Sequence, residues 1–163
     1  MDESVKLKIE HEISRIEKLV NEIEPLIKLC KLKEPDIIEK SAAALMLHSF
    51  YNGIESILIL FFKYKNIKLP NDTKWHKTLF EMAFGNNPEN IIIFDDEIKK
   101  DLEKCLLYRH FIRHTYGSEL DWEQMKPMVY GINEIWNKIK IYFNKFINKQ
   151  ENENIEKVEQ NNS

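Results

Sequence analysis

The sequence AAALMLHSFYNGIESILILFF, residues 42–62, decides the fold. It is apolar around most of the circumference of a helix, so other segments must cover it on several sides. Its length also suits a membrane span, but His48, Asn52 and Glu55 interrupt it. These polar residues follow one another at intervals of four and three, which places them on one side of a helix. The stretch therefore predicts a buried central helix with one polar seam, and we expect no membrane span.

The rest of the chain supplies the cover for this central helix. Apolar residues recur at helical spacing in most of the other segments, and capping or turn residues separate them. Only four glycines and five prolines occur, too few for the turns of a many-stranded sheet. The sequence therefore predicts an all-α protein, an up-and-down bundle of four to five helices. The first three are expected over 1–31, 36–64 and 75–84. The fourth should follow a cap at Asp95 or Asp96 and end before Gly117, and the fifth should run from a cap at Asp121 to residue 146.

Local signals set the predicted boundaries of these helices. Pro35 suits the first turn of the second helix, and Gly117 suits a left-handed stop after the fourth. An apolar patch at residues 91–94 is expected to lie over the core, with an isolated strand as the alternative. Beyond residue 148 the chain is almost wholly polar. We therefore predict a helical domain over 1–148 and a disordered polar tail over 149–163.

Charge and cysteine usage exclude some classes of protein. The net charge of −3 and the pI of about 6.0 argue against broad, nonspecific adhesion to nucleic acid. Cys30 and Cys105 lie among apolar residues without metal-like spacing, which indicates reduced, packed thiols. No basic segment followed by an apolar run opens the sequence, so we expect a cytoplasmic protein.

One short segment is basic, in contrast to the mildly negative net charge of the whole chain. RHFIRHTYG, residues 109–117, holds two arginines, two histidines and a tyrosine. On a helix, Arg109 and Arg113 share one face, and His110 and His114 share another. The residue types alone favour a solvated face, or pairing with acids such as Glu55 and Glu103.

The histidine pair also has the spacing of a two-ligand metal site. No third cysteine, histidine or aspartate lies nearby in sequence, and Arg113 next to His114 would repel a cation. We therefore expect no metal here. His76 begins a predicted helix after Trp75, and we interpret it as a capping or packing residue.

The basic segment is similar to a known motif. Arg109, His114 and Tyr116 form the pattern R-x4-H-x-Y, which resembles that of the HEPN ribonuclease superfamily, in particular its HepT-like toxins. Three further segments resemble the family in the same order: HSFYNGIE at 48–55, WHKTLFEM at 75–82 and YGSELDW at 116–122. The resemblance covers about residues 1–146. It departs at His110, where many superfamily members carry asparagine or aspartate.

The resemblance implies a HEPN-like bundle that acts as a metal-independent endoribonuclease and works as a homodimer, with no cofactor. RNA supplies the 2′-hydroxyl nucleophile, so the protein needs a proton-transfer group and a cation beside the developing phosphorane. His114 and Arg109 suit these two catalytic roles. On a straight helix, residues five apart point about 140° from each other, so two antiparallel motifs could pair one chain's arginine with the other's histidine.

Other polar residues are expected to support the site. His110 and Arg113 flank the catalytic pair, and the polar seam could line the cleft and orient an arginine. A purely structural role for that seam is the alternative. The residues expected to support the site or bind RNA are His110, Arg113, Asn52, Glu55 and His48.

The resemblance also implies a partner and a control point. HepT-like toxins pair with a nucleotidyltransferase antitoxin of the MNT type, which can transfer AMP to the motif tyrosine, here Tyr116. The added phosphate would repel RNA phosphate at the cleft. The alternative function is a helical binding module that docks a nucleotidyltransferase and cleaves nothing.

Overall fold

The protein folds as an all-α bundle. The computed structural model describes residues 1, 3–114, 116 and 119–161, with side chains as far as residue 153 except that of residue 151. Within these residues the only β pairing is one isolated bridge between Phe84 and Ile92, so the predicted fold class is confirmed. The described part of the chain has six helical segments: α1 (Glu3–Glu22), α2 (Glu24–Leu32), α3 (Ile37–Tyr64), α4 (Trp75–Ala83), α5 (Asp96–His114) and α6 (Trp122–Asn161).

The central helix α3 organises the bundle as predicted. It contacts α1, α4, α5 and α6, and eleven of its residues are buried. Phe50 meets Trp136 of α6 edge to face at 6.3 Å between ring centroids, and Phe61 lies 5.7 Å from Phe143. Among the described residues, α3 alone is long and apolar enough to cross a membrane, and half of its most apolar window is buried inside the bundle. Packing within the bundle accounts for its composition.

The first predicted helix is divided in two. We expected one helix over 1–31, but a turn at Ile23 separates α1 from α2. Pro25 lies at the start of α2 and has no N–H to donate to the preceding turn. The break is mild, because Ile23 N still donates to Leu19 O at 3.1 Å. If α1 and α2 are counted as one interrupted helix, the bundle has the predicted five.

The start of α3 differs from prediction by one residue. We placed Pro35 in its first turn, but Asp36 is the N-cap and Pro35 precedes it. Asp36 Oδ1 accepts from the backbone N of Ile38 and Glu39 at 2.9 Å each, and Asp36 N donates to Glu39 Oε2 at 2.8 Å. This capping box satisfies donors that the first turn leaves unpaired, and it fixes the start of the helix.

The other predicted boundaries are close to those observed. Asp95 and Asp121 each accept from the backbone N two residues ahead, at 3.0 and 2.9 Å, and so begin α5 and α6. In the apolar patch, Ile93 and Phe94 are buried over the core as expected, whereas Ile92 is exposed. Both cysteines are free and buried, also as predicted. Gly117, the expected helix stop, lies outside the described residues.

The C-terminal segment continues α6. We predicted a disordered tail over 149–163, whereas the backbone is helical to Asn161. Gln150 is 2% exposed, its carbonyl accepts from the N-terminal amine of Met1 at 3.2 Å, and Lys65 Nζ lies 3.4 Å from Glu153 Oε2. Contacts with α3 and the N-terminus thus extend beyond residue 148, and no glycine or proline interrupts the helix there. The division of the chain at 148 stays a prediction.

Candidate functional site

The basic segment forms the last turns of α5, which packs against α3. Arg109 faces α3 and is only 8% exposed, whereas His110, Arg113 and His114 are exposed. The helix continues unbroken through His114, so the expected divergence of about 140° between Arg109 and His114 applies. The two proposed catalytic residues of one chain therefore leave the helix in different directions.

Two residues of the polar seam hold Arg109. Its Nε lies 2.9 Å from Asn52 Oδ1, to which it donates, and 3.2 Å from Glu55 Oε2. Asn52 and Glu55 are three residues apart on α3, so one turn of the helix presents both acceptors together. The predicted pairing of the basic segment with Glu55 is present, and Glu103 is exposed. Asn52 and Glu55 of the polar seam thus fix the position of Nε, the guanidinium nitrogen closest to the backbone.

Glu55 has a second partner on α4. His76 Nδ1 lies 2.7 Å from Glu55 Oε1, while the other carboxylate oxygen faces Arg109. Glu55 is only 3% exposed, so both carboxylate oxygens need donors from protein groups. His76, Glu55 and Arg109 therefore form a continuous chain of contacts across α4, α3 and α5.

The electrostatics around these three residues favour a neutral imidazole at His76. Burial, followed by the positive charges of Arg109 and Arg113, lowers the pKa of His76 to about 4. Burial raises the pKa of Glu55 to about 7, while both arginines act in the opposite direction. A neutral His76 carries one ring proton, and a bond to a carboxylate oxygen requires that proton on Nδ1.

His48, the third seam residue, is near the arginines without bonding to Arg109. Its side chain is half-buried, and its Nδ1 has no hydrogen-bond partner among the described residues. Burial, followed by Arg109 and Arg113, lowers its pKa. His48 therefore adds an imidazole beside the two arginines, and the described residues show no hydrogen bond from it to the guanidinium.

The histidine pair lies on the exposed side of α5. The rings of His110 and His114 are 4.9 Å apart between centroids, inclined at 58°. Within the described part of the chain, no group of three or more histidine, cysteine or acidic side chains is arranged to hold a metal ion. The geometry presents His114 to solvent.

Tyr116 follows the end of α5. It is 78% exposed, its backbone N donates to Glu119 Oε2 at 3.3 Å, and its carbonyl accepts from Glu119 N at 2.8 Å. These two bonds hold the backbone of Tyr116 and leave its ring projecting. Thr115, Gly117 and Ser118 lie outside the described residues.

The sequence did not reveal the role of His76. We interpreted it as a capping or packing residue, and it does lie against Trp75, with ring centroids 3.4 Å apart. Its bond to Glu55 joins residues 21 apart across a loop, a separation that no helical spacing predicts. The one available signal was Glu55 itself, since a buried carboxylate beside an arginine has a second oxygen to satisfy.

Comparison with known proteins identifies the family. The family described as HepT-like protein matches residues 42–150, more than half of the chain and the range that contains every site residue described above. Searches of curated proteins and of solved structures gave no match. The family match agrees with the all-α fold and with the motif in α5. The chain therefore belongs to the HepT-like proteins of the HEPN superfamily.

Proposed function

We propose that this protein is the toxin of a HEPN/MNT toxin–antitoxin pair and cleaves RNA as a metal-independent endoribonuclease. The observation that carries the proposal is the arrangement at the end of α5. Arg109 is held at its Nε by Asn52 and Glu55. Five residues later, His114 is exposed to solvent. Both belong to the R-x4-H-x-Y pattern that resembles the HEPN motif, in a chain of the HepT-like family.

The chemistry uses the 2′-hydroxyl of RNA as the nucleophile. His114 takes the proton from this hydroxyl and returns one to the leaving 5′-oxygen, since an imidazole exchanges protons near neutral pH. The attack forms a pentacoordinate phosphorane and ends in a 2′,3′-cyclic phosphate. Arg109 stabilises the negative charge on the phosphorane oxygens.

A homodimer completes the site in this proposal. Arg109 faces α3 and His114 faces solvent, so one chain does not aim both groups at one phosphate. Two motifs facing each other would pair one chain's arginine with the other's histidine. They would also double the local positive charge, which an acidic protein needs in order to hold RNA.

Tyr116 is the proposed control point. Its high exposure leaves the phenol accessible to a nucleotidyltransferase of the MNT type, which would transfer AMP from ATP to the tyrosine oxygen and release pyrophosphate. The bound AMP places a phosphate close to the basic end of α5 and repels RNA. We place this pair, and its RNA substrate, in the cytoplasm. A mass shift of one AMP on the Tyr116 peptide after co-expression tests this part.

The decisive experiment is RNA cleavage by the pure protein in EDTA. Wild type should cleave and leave cyclic phosphate ends, whereas Arg109→Ala and His114→Ala should not. His11→Ala, a change at an exposed histidine on α1, serves as the matched control and should cleave like wild type. Equal cleavage by wild type and His114→Ala would overturn the proposal.

One observation favours a second function, a helical binding module without turnover. Arg109 is 8% exposed and its Nε faces Asn52 and Glu55, as expected of a structural arginine. Such a module would bind the nucleotidyltransferase but cleave nothing. Stable binding of that partner, together with no cleavage by wild type in any RNA pool, would favour it over the enzyme.

A further inference from the structure

The contact between His76 and Glu55 has no part in the chemistry proposed above. We propose that His76 is a positioning residue, which sets the orientation of Arg109 through the carboxylate of Glu55. This inference rests on the proposed function, since it assigns a role within the same site. It identifies a third helix, α4, as a part of the catalytic apparatus.

His76, Glu55 and Arg109 each make a specific contact in this arrangement. Glu55 uses one oxygen for each neighbour: Oε1 lies 2.7 Å from His76 Nδ1, and Oε2 lies 3.2 Å from Arg109 Nε. A carboxylate held at both oxygens has a fixed plane, whereas one held at a single oxygen can rotate about its terminal bond. Without His76, the acceptor that faces Arg109 is free to turn.

Arg109 depends on that fixed acceptor. Its Nε–H donates to Asn52, and Glu55 Oε2 forms an ion pair with the same nitrogen at 3.2 Å. The guanidinium is planar, so the direction of the Nε–H fixes the direction of both terminal nitrogens. Those nitrogens are the groups that would face a phosphorane. A small error in their position weakens a contact made only in the transition state, and such losses appear in kcat.

The surroundings keep His76 in the form that this role requires. The groups near its ring are Glu55 and His48 on α3, and Arg109, Arg113 and His110 on α5. Burial and these positive neighbours lower the pKa of His76 to about 4, so the ring is neutral under ordinary conditions. A neutral donor can hold Glu55 Oε1 in place without adding a further positive charge beside Arg109 and Arg113.

Substitution of His76 separates positioning from packing. An asparagine side chain places its amide nitrogen near the position of Nδ1 and can still donate to Glu55, whereas leucine fills a similar space and donates nothing. We expect His76→Leu to lower kcat by about tenfold or more with less than about a threefold change in KM, and His76→Asn to recover most of the loss. His11→Leu is the matched control.

The double variant shows whether His76 acts through Glu55. If it does, adding His76→Leu to Glu55→Gln should cost less than about a twofold further loss in kcat, because the path is already interrupted. Independent, multiplying losses would overturn the proposal. So would a His76→Leu protein that folds and keeps the kcat of wild type.

A spectroscopic measurement keeps this inference distinct from the ribonuclease proposal. The Arg109 Nε–H resonance in ¹⁵N spectra reports the two acceptors directly. It should move in His76→Leu, remain near its wild-type position in His76→Asn, and be unaffected by His11→Leu. An unmoved resonance in His76→Leu overturns the positioning role even if the enzyme is active. If the resonance moves in His76→Leu but the wild-type protein cleaves no RNA, the ribonuclease proposal is refuted. The coupling of His76 to Arg109 through Glu55 is then still supported.

If the His76→Leu variant does not fold, a second substitution still tests the positioning role. In that case His76→Gln replaces His76→Leu, because its amide nitrogen corresponds to Nε2 and does not reach the position of Nδ1. The expected order of kcat is then wild type, His76→Asn, His76→Gln. Equal kcat values for the asparagine and glutamine variants would overturn the proposal.

Discussion

Nε of Arg109 and Oδ1 of Asn52 are 2.9 Å apart, although 57 residues separate them in the sequence. The bond joins α5 to α3 at the point where the basic segment begins. Glu55, one turn further along α3, forms an ion pair with the same nitrogen, with Oε2 at 3.2 Å. The direction of the arginine is therefore set by α3 rather than by its own helix.

This pair of partners at Nε, a hydrogen bond to Asn52 and an ion pair with Glu55, predicts that lysine cannot replace Arg109. Lysine carries a positive charge at one atom and has no group that both donates to Asn52 and presents a planar fork to phosphate. Arg109→Lys should lower kcat/KM for RNA cleavage by at least about 100-fold, as expected when a preorganised donor is lost. Arg15→Lys, a change at an exposed arginine of α1, should have no effect. Full activity of Arg109→Lys would show that charge alone suffices.

The divergence of Arg109 and His114 predicts complementation between two inactive variants. When Arg109→Ala and His114→Ala chains are mixed, unfolded together and refolded, heterodimers contain one composite site with both wild-type residues. About a quarter of wild-type activity should return, since half of the dimers are mixed and each restores one site of two. No recovery, despite mixed dimers seen by mass spectrometry, would place both residues of each site on one chain.

The environment of His76 predicts a contribution to stability that depends on pH. Its pKa is about 4 in the folded protein, below its usual value near 6.5, so the unfolded chain binds the proton more readily as pH falls between these values. Acidification from pH 7.5 to 5 should therefore remove about 1–2 kcal/mol of the free energy of unfolding through this residue.

The His76→Asn variant isolates this effect, because asparagine does not titrate. Its free energy of unfolding, measured with urea at both pH values, should fall less on acidification than that of wild type. Glu55, whose pKa is raised to about 7, acts with the opposite sign: the stability it contributes is present below pH 4.5 and lost as pH rises through 7. Equal losses in wild type and variant would contradict the prediction.

The approach of α1 to α3 predicts that Gly53 cannot be enlarged. A Cβ at this position would lie 2.6 Å from Cγ1 and 2.9 Å from Cδ1 of Ile16, whose side chain is itself buried. Gly53→Ala should therefore lower the free energy of unfolding by about 1–3 kcal/mol, as overpacking does.

Gly131 on α6 provides the matched control. A Cβ there meets only Ile135 Cδ1, at an ordinary 3.8 Å. Gly131→Ala should be neutral or stabilise the protein by up to about 1 kcal/mol, because alanine favours helix. Chemical denaturation of both variants is the measurement, and equal effects at the two glycines would contradict the close packing of α1 on α3.

The helices were largely predictable because their signals are local. Asp95 and Asp121 begin helices where the sequence placed caps, and the polar seam of α3 follows from spacing alone. The break at Ile23 was missed because the apolar periodicity continues through it, although Pro25 marks the place. The helical backbone of residues 149–161 was also missed, since composition does not show that Gln150 contacts the N-terminus.

The sequence by itself determined the class of fold, the order of the helices and the motif residues of α5. These depend on helical periodicity, capping and short spacings, all of which act within a few turns of one helix. Only the tertiary structure decided which acceptors hold Arg109, that His76 is the second partner of Glu55, and that Arg109 is buried while His114 is exposed. Those features arise from packing between helices, where residues tens of positions apart come within hydrogen-bonding distance and burial alters their protonation.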